Sequence, residues 1–156
     1  MENFPYRKVL VTGGAGFIGS HLCEHLLALG CEVEALDDLS TGSVANVEHL
    51  LPVPAFRLTV ASVLDKQELG VAVDRADGVF HLAAAVGVRL IVENPVRTIE
   101  TNVSGTENVL RLAMKKKRQI LVASTSEVYG KRTQVPFGEE DDLILGPSRR
   151  PRWAYA

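Results

Sequence analysis

Short apolar runs alternate with longer stretches of helical spacing along this chain, and the alternation predicts strands and helices in turn. The run Val9-Leu10-Val11 is unbroken, as a strand buried on both faces requires, and predicts a strand over Lys8–Thr12. Leu22, Leu26, Leu27 and Leu29 then share one helical face, predicting a helix over 16–29 that Gly30 closes. A second strand is expected over 33–37, then a turn at Thr41-Gly42 and a short helix near 44–50. The third strand is 57–60, a short helix follows over 65–73, and the fourth strand is 78–83. Between 95 and 117, Val96, Ile99, Val103, Val109, Leu110 and Ala113 fall at core-like spacing, predicting one long helix. The fifth strand is 120–124. Such alternation predicts an α/β fold: a doubly wound parallel sheet with helices on both faces.

From 131 to 153 the pattern breaks down. Pro136, Gly138, Gly146, Pro147 and Pro151 punctuate it, around the acidic run Glu139 to Asp142. An irregular segment above ~20 residues is uncommon and usually functional or disordered. It is expected to be a flap near a substrate site.

The chemistry begins after the first strand, at Gly13-Gly14-Ala15-Gly16-Phe17-Ile18-Gly19. A strand, a glycine turn and a helix in that order make the dinucleotide-binding corner of a Rossmann fold. Gly13 is expected to allow the sharp turn, Gly16 the approach of backbone to phosphates, and Gly19 close packing of helix on strand. The free N–H groups of the new helix and its dipole would face the anion. Asp37 ends the second strand ~20 residues on, where a carboxylate accepts ribose hydroxyl protons. An acid there repels the 2′-phosphate of NADP, and no arginine directly follows Asp37 or Asp38, so the pattern favours NAD.

In a doubly wound sheet, ligands sit beyond the carboxyl ends of the strands. Two further signals fall at such ends: His81-Leu82-Ala83-Ala84, and Ser124-Thr125-Ser126-Glu127-Val128-Tyr129-Gly130. The small residues Ala83 and Ala84 would let backbone lie against a flat cofactor. Thr125 and Ser126 offer hydroxyls and Glu127 a carboxylate.

Composition narrows the rest. At 156 residues the chain suits one domain, residues 1–156, and 46% hydrophobic with 23% charged residues is ordinary for a soluble globular protein. A net charge of −2 gives no global attraction to nucleic acid or an anionic membrane. No apolar run approaches the ~20 residues of a membrane span, and Met1-Glu2-Asn3-Phe4-Pro5 lacks the features of a signal peptide. With only Cys23 and Cys31, a reduced, cytoplasmic protein with inert thiols is expected. His21-Leu22-Cys23-Glu24-His25 has the H-x-x-E-H spelling of some zinc peptidases. It lies on the helix opened by the glycine turn, with no third ligand placed by motif, so no metal is expected.

Together these pieces make the chain resemble the N-terminal half of an extended short-chain dehydrogenase/reductase, in the NAD-dependent epimerase/dehydratase group that modifies nucleotide sugars. The resemblance is carried by 12–20, by Asp37-Asp38-Leu39-Ser40-Thr41-Gly42, by His81–Ala84, by Thr101-Asn102 with Gly105-Thr106, and by Ser124–Gly130. It implies that Gly13, Gly16, Phe17, Ile18, Gly19, Asp37 and Asp38 bind NAD, with Leu82, Ala83, Ala84 and Asn102 against the cofactor. Ser62 and Val63 stand where many relatives carry an acid for the adenine amino group. Thr125 would bind the sugar O4, Glu127 would be a further active-site carboxylate, and Tyr155 would be the tyrosine of the family's Tyr-x-x-x-Lys motif. The sequence stops at Ala156, before that lysine and before the last strands and C-terminal substrate domain. The expectation is therefore a complete enzyme, commonly a homodimer, that oxidises a nucleotide sugar, a UDP-sugar favoured, transiently at C4. This chain alone would lack turnover, and a non-catalytic NAD-binding fragment is the alternative. Thr125-Ser126-Glu127 lacks the aspartate of dTDP-glucose dehydratases and resembles UDP-glucuronate decarboxylases and GDP-mannose 4,6-dehydratases. Epimerase, decarboxylase and GDP-mannose-type dehydratase chemistries all stay open.

Overall fold

The central strand β1 (Lys8–Thr12) is buried along its whole apolar run, and the sheet is built outwards from it in both directions. A computed structural model describes residues 4–86 and 93–147. After β1 come α1 (Phe17–Ala28), β2 (Glu32–Asp37), β3 (Phe56–Val60), α2 (Lys66–Arg75) and β4 (Gly78–His81). A continuous helix, α3, follows in three parts, Pro95–Ile99, Glu100–Gly105 and Thr106–Lys115, before β5 (Gln119–Val122). All strand pairs are parallel, in the order β3-β2-β1-β4-β5. The chain thus moves outwards through β2 and β3, returns to the far side of β1, and leaves a crevice where the order reverses.

Alternation along the strands sorts the core into two layers. Val9, Val11, Val33 and Ala35 face α1 and pack with Cys23 and Leu26. Leu10, Leu36 and Val79 face the other way, onto Leu69, Ala72 and Val73 of α2 and Val109 of α3. Burial at Leu69, Ala72 and Val73 follows helical spacing, and the Asp65 carboxylate caps α2 by accepting from the N–H groups of Gln67 and Glu68. The expected short helix near 44–50 is a pair of tight turns, Val44–Asn46 and Glu48–Leu50.

Two expectations need correction. The long helix does not bury Val96, Ile99, Val103 and Leu110, which are exposed, while Val109 and Ala113 are buried as expected. Its middle part, Glu100–Gly105, is a wide π-helical turn that rotates the faces on either side of it. The helix meets the rest of the fold through Thr98, Gly105, Asn108, Val109 and Ala113 instead. The fourth and fifth strands are also shorter than expected, ending at His81 and Val122.

The segment after β5 is not structureless where it is described. The Lys131 N–H donates to the Ile144 carbonyl at 2.8 Å, and Gly130 bridges to Ile144. Inside that neck, Arg132 pairs with Asp141 at 2.8 Å, and Tyr129 stacks on Phe137. The segment is a loop closed on itself. Residues 148–153 of the expected flap lie outside the described residues.

At the opposite edge of the sheet from the crevice, the buried Glu34 carboxylate accepts from Arg75 Nε (2.9 Å), Arg75 Nη2 (2.6 Å) and Thr59 Oγ1 (2.8 Å). Removing the guanidinium leaves a buried carboxylate with one donor. Arg75→Met is expected to destabilise the fold by about 1–3 kcal/mol, read as a lower urea midpoint.

Candidate functional site

The glycine turn is built by exclusion. Gly13 has φ +73°, a region that favours glycine, and a Cβ there would stand 2.8 Å from the Ala83 nitrogen. A Cβ on Gly19 would lie 2.1 Å from the Gly13 carbonyl oxygen, so the first turn of α1 rests on the glycine turn itself. Gly14, in the turn before α1, is also closely set: its Cβ would come 2.5 Å from the Ala35 Cβ of β2.

A cavity of about 670 Å³ opens where the carboxyl ends of the strands meet this turn. Of the expected cofactor set, Gly13, Gly16, Phe17, Ile18, Gly19, Asp37 and Asp38 line it. Ser62, Val63, Leu82, Ala83, Ala84 and Asn102 line it as well. Thr125 borders the same space, whereas Glu127 sits half-buried on the adjoining turn Ser126–Tyr129 and is not among the lining side chains. Tyr155 lies outside the described residues.

The end of α1 that opens on the cavity has no side-chain cap and no acid in its first turn. Its partial positive charge is therefore left for an anion. Phe17 and Ile18 are largely exposed there, at 79% and 69%. Asp37 is buried and already holds two donors: the Ala15 N–H at 3.0 Å through Oδ2 and the Leu39 N–H at 2.8 Å through Oδ1. Each oxygen keeps a second lone pair for a ligand hydroxyl. An arginine does stand beside Asp38, although none follows it in sequence: Arg97, from the start of α3, places Nη2 3.9 Å from Asp38 Oδ2. Nothing in the local sequence pairs these two.

Polar groups that are far apart in the sequence are tied together at the cavity wall. Thr12 Oγ1 lies 2.7 Å from His81 Nδ1, and His81 Nε2 lies 2.9 Å from Thr106 Oγ1. Asn102 takes the Ala85 N–H on Oδ1 at 2.7 Å and donates Nδ2–H to the Ala85 carbonyl at 3.2 Å. The motif Gly105-Thr106 could have pointed to this corner, but its partners are far apart in the chain.

Burial pushes His81 down from the ordinary 6.5 to about 4. Burial, helped by the Glu24 charge, pushes the Cys23 thiol up to about 12, so it stays protonated. In the H-x-x-E-H stretch, Glu24 pairs instead with His49 at 2.7 Å, and His21 Nδ1 lies against the Phe17 carbonyl. Among the described residues, no three His, Cys, Asp or Glu side chains come together as a metal site. None of the described helices is long and apolar enough to cross a membrane.

The depressed His81 value has a signed consequence. Between pH 6.5 and about 4 the unfolded chain binds a proton at this residue and the folded chain does not. Stability is therefore present above 6.5 and lost as the pH falls, at up to ~1.4 kcal/mol per pH unit. Thermal unfolding at pH 7 and pH 4.5 is expected to show a smaller acid-induced loss in His81→Asn than in the unaltered protein.

Comparison with known proteins places this geometry. A family model described as GDP-mannose 4,6 dehydratase matches residues 10–156. The chain is 44% identical over 151 residues to a UDP-N-acetyl-alpha-D-glucosaminuronate decarboxylase of Bacillus cytotoxicus, covering 96% of this chain and 46% of that protein. Among solved structures, it resembles DesIV, a dTDP-glucose 4,6-dehydratase from Streptomyces venezuelae with NAD and TYD bound. The TM-score is 0.83 at 33% identity, over 88% of this chain and 45% of that one. It also resembles the UDP-glucose-4-epimerase of Stenotrophomonas maltophila with bound NAD, at TM-score 0.82 and 27% identity, over 96% of this chain and 44% of that one. The chain spans about half the length of these proteins. From the glycine turn to its last residues, the chain belongs to the NAD-dependent epimerase/dehydratase family.

Proposed function

We propose that the complete protein binds NAD and oxidises a nucleotide sugar transiently at C4, with decarboxylation of a UDP-uronic acid as the favoured outcome. The observation that carries this reading is the convergence of the glycine turn, Asp37 and Thr125 on one cavity at the carboxyl edge of the sheet. The residues fit the dinucleotide. The uncapped start of α1 suits a pyrophosphate, the Asp37 carboxylate suits ribose hydroxyls, and the close-set Ala83 backbone suits a flat ring. The decarboxylase relative at 44% identity favours loss of a carboxylate over the alternatives.

NAD, when bound, would take a hydride from sugar C4 and later return it. Thr125 Oγ1 already accepts from the Glu127 N–H at 3.3 Å, so its own proton is free to donate to the sugar O4. Tyr155 is proposed as the base that takes the 4-hydroxyl proton as the hydride leaves, and Glu127 as a carboxylate beside the sugar. Asn102 spends its amide on Ala85 and so acts by holding that loop. With C4 a ketone, a C6 carboxylate is a β-keto acid. It leaves as carbon dioxide, C5 is reprotonated, and return of the hydride restores the 4-hydroxyl. Return to the opposite face of a substrate that keeps C6 gives an epimer, and loss of water gives a dehydratase product.

Turnover is proposed for the complete protein. Among the described residues, β5 ends the sheet, with Leu121 and Val122 exposed. The outward stripe of α3 (Val96, Val103, Leu110 and Met114) is proposed as the surface of a homodimer. A reducing, cytoplasmic location is proposed from the two free, buried cysteines.

The complete protein with UDP-glucuronate is expected to release carbon dioxide, detected by mass spectrometry and NMR of the product. An isobaric isomer from UDP-glucose, or loss of water from GDP-mannose, would replace decarboxylation by epimerase or dehydratase chemistry. Tyr155→Phe is expected to lower turnover about a hundredfold or more while leaving NAD binding intact. Asp37→Ala removes the ribose acceptor and the partner of two backbone N–H groups. It is expected to weaken NAD at least tenfold by calorimetry and to lower the thermal midpoint.

A further inference from the structure

The loop that follows β4 is held by a closed ring of hydrogen bonds, and His81 is its keystone. The ring leaves the loop at the Ala83 N–H, which donates to Thr12 Oγ1 at 3.3 Å. It returns at Ala85, whose N–H and carbonyl both meet the Asn102 side chain. Between these ends, Thr106 Oγ1 donates its single proton to the Asn102 carbonyl at 2.6 Å, so it must accept from His81 Nε2–H. Thr12 Oγ1 takes the Ala83 N–H on one lone pair and, with the ring proton already on Nε2 of a neutral imidazole, gives its own proton to His81 Nδ1. The ring therefore fixes the proton on Nε2, and burial of the imidazole among neutral groups keeps Nδ1 unprotonated.

We propose that His81 is a positioning residue for the cofactor: as this single tautomer it ties β1 to the wide turn of α3 and thereby sets the backbone of Ala83 and Ala85 against the cavity. Ala83 is the group that leaves no room for a Cβ on Gly13, so the same ring fixes the spacing of the glycine turn. The wide turn is part of the device. It brings the Asn102 side chain to Ala85 while Thr106, four residues on, bonds back to the Asn102 carbonyl. His81 is buried, and its fall to about 4 keeps it neutral over the range in which a cofactor would bind.

The inference rests on the NAD reading for its binding measurement and on the structure alone for the second. Asparagine at 81 keeps an acceptor near Nδ1 and loses the donor to Thr106. Glutamine keeps a donor near Nε2 and loses the acceptor for Thr12. NAD affinity, measured well below the unfolding temperature, is expected to fall about threefold to tenfold in His81→Asn, His81→Gln and Thr106→Val. Thr106→Val is expected to cost less in His81→Asn, where the His81 link is already cut and only the bond to the Asn102 carbonyl is left to lose, than in His81→Gln. Amide exchange at Ala83 and Ala85 is expected to quicken in all three single variants, and ¹⁵N shifts of the unaltered protein should show Nε2–H with Nδ1 unprotonated. Equal loss from Thr106→Val in every background, or unchanged affinity in folded variants, overturns the proposal. Failure of the unaltered protein to bind NAD refutes the cofactor reading, and unchanged amide exchange in His81→Asn then overturns the ring independently.

Discussion

Backbone passes against backbone where Gly13 meets Ala83, and the rest of the site depends on that approach. The glycine turn leaves β1 and the Ala83 loop leaves β4, the two strands that flank the reversal of strand order. A side chain on Gly13 would push these segments apart and widen the crevice. Hydrophobic burial of β1 and the helices brings the strands together, but it has no directional preference that would fix a separation of tenths of an ångström. The polar groups beneath the turn supply that direction. Thr12 reaches across to the β4 side, and His81 carries the connection on to α3.

The same corner divides its electrostatic labour. The start of α1 carries the positive end of a helix dipole with nothing of its own to neutralise it. Asp37 stands close by, yet its carboxylate faces the Ala15 and Leu39 amides. Acid and dipole are therefore held side by side, one suited to hydroxyl donors and the other to anions. A molecule that carries both, a nucleotide with its ribose, matches the pair better than a simple anion does.

Much of this was legible in the sequence, for physical reasons that can be named. A parallel strand buried on both faces reads as an apolar run, and so β1 stood out at both its ends, while β2, interrupted by Glu34, was marked within a residue by Val33, Ala35 and Leu36. The glycine turn was legible because its steric demands admit few other residues. The long helix misled at Val96, Ile99, Val103 and Leu110 because a 3.6-residue period assumes one helical phase, and the wide turn over Glu100–Gly105 changes it. The ring through Thr12, His81 and Thr106 was not legible, since each residue alone is an ordinary polar neighbour and only the fold brings them together. Arg97 reached Asp38 by the same route, from a distant helix start.

The closed loop after β5 separates two kinds of freedom. Its neck, at Gly130, Lys131 and Ile144, is pinned by main-chain contacts, so the ends stay in place whatever lies between them. For a loop with fixed ends, doubling the enclosed length costs only ~0.6 kcal/mol in closure entropy. Residues between 132 and 143 can therefore be gained, lost or exchanged at small thermodynamic expense, while Thr125 and the cavity wall keep their positions. In such a chain the loop is free to diverge in length and composition, and the turn that precedes it stays where β5 leaves it.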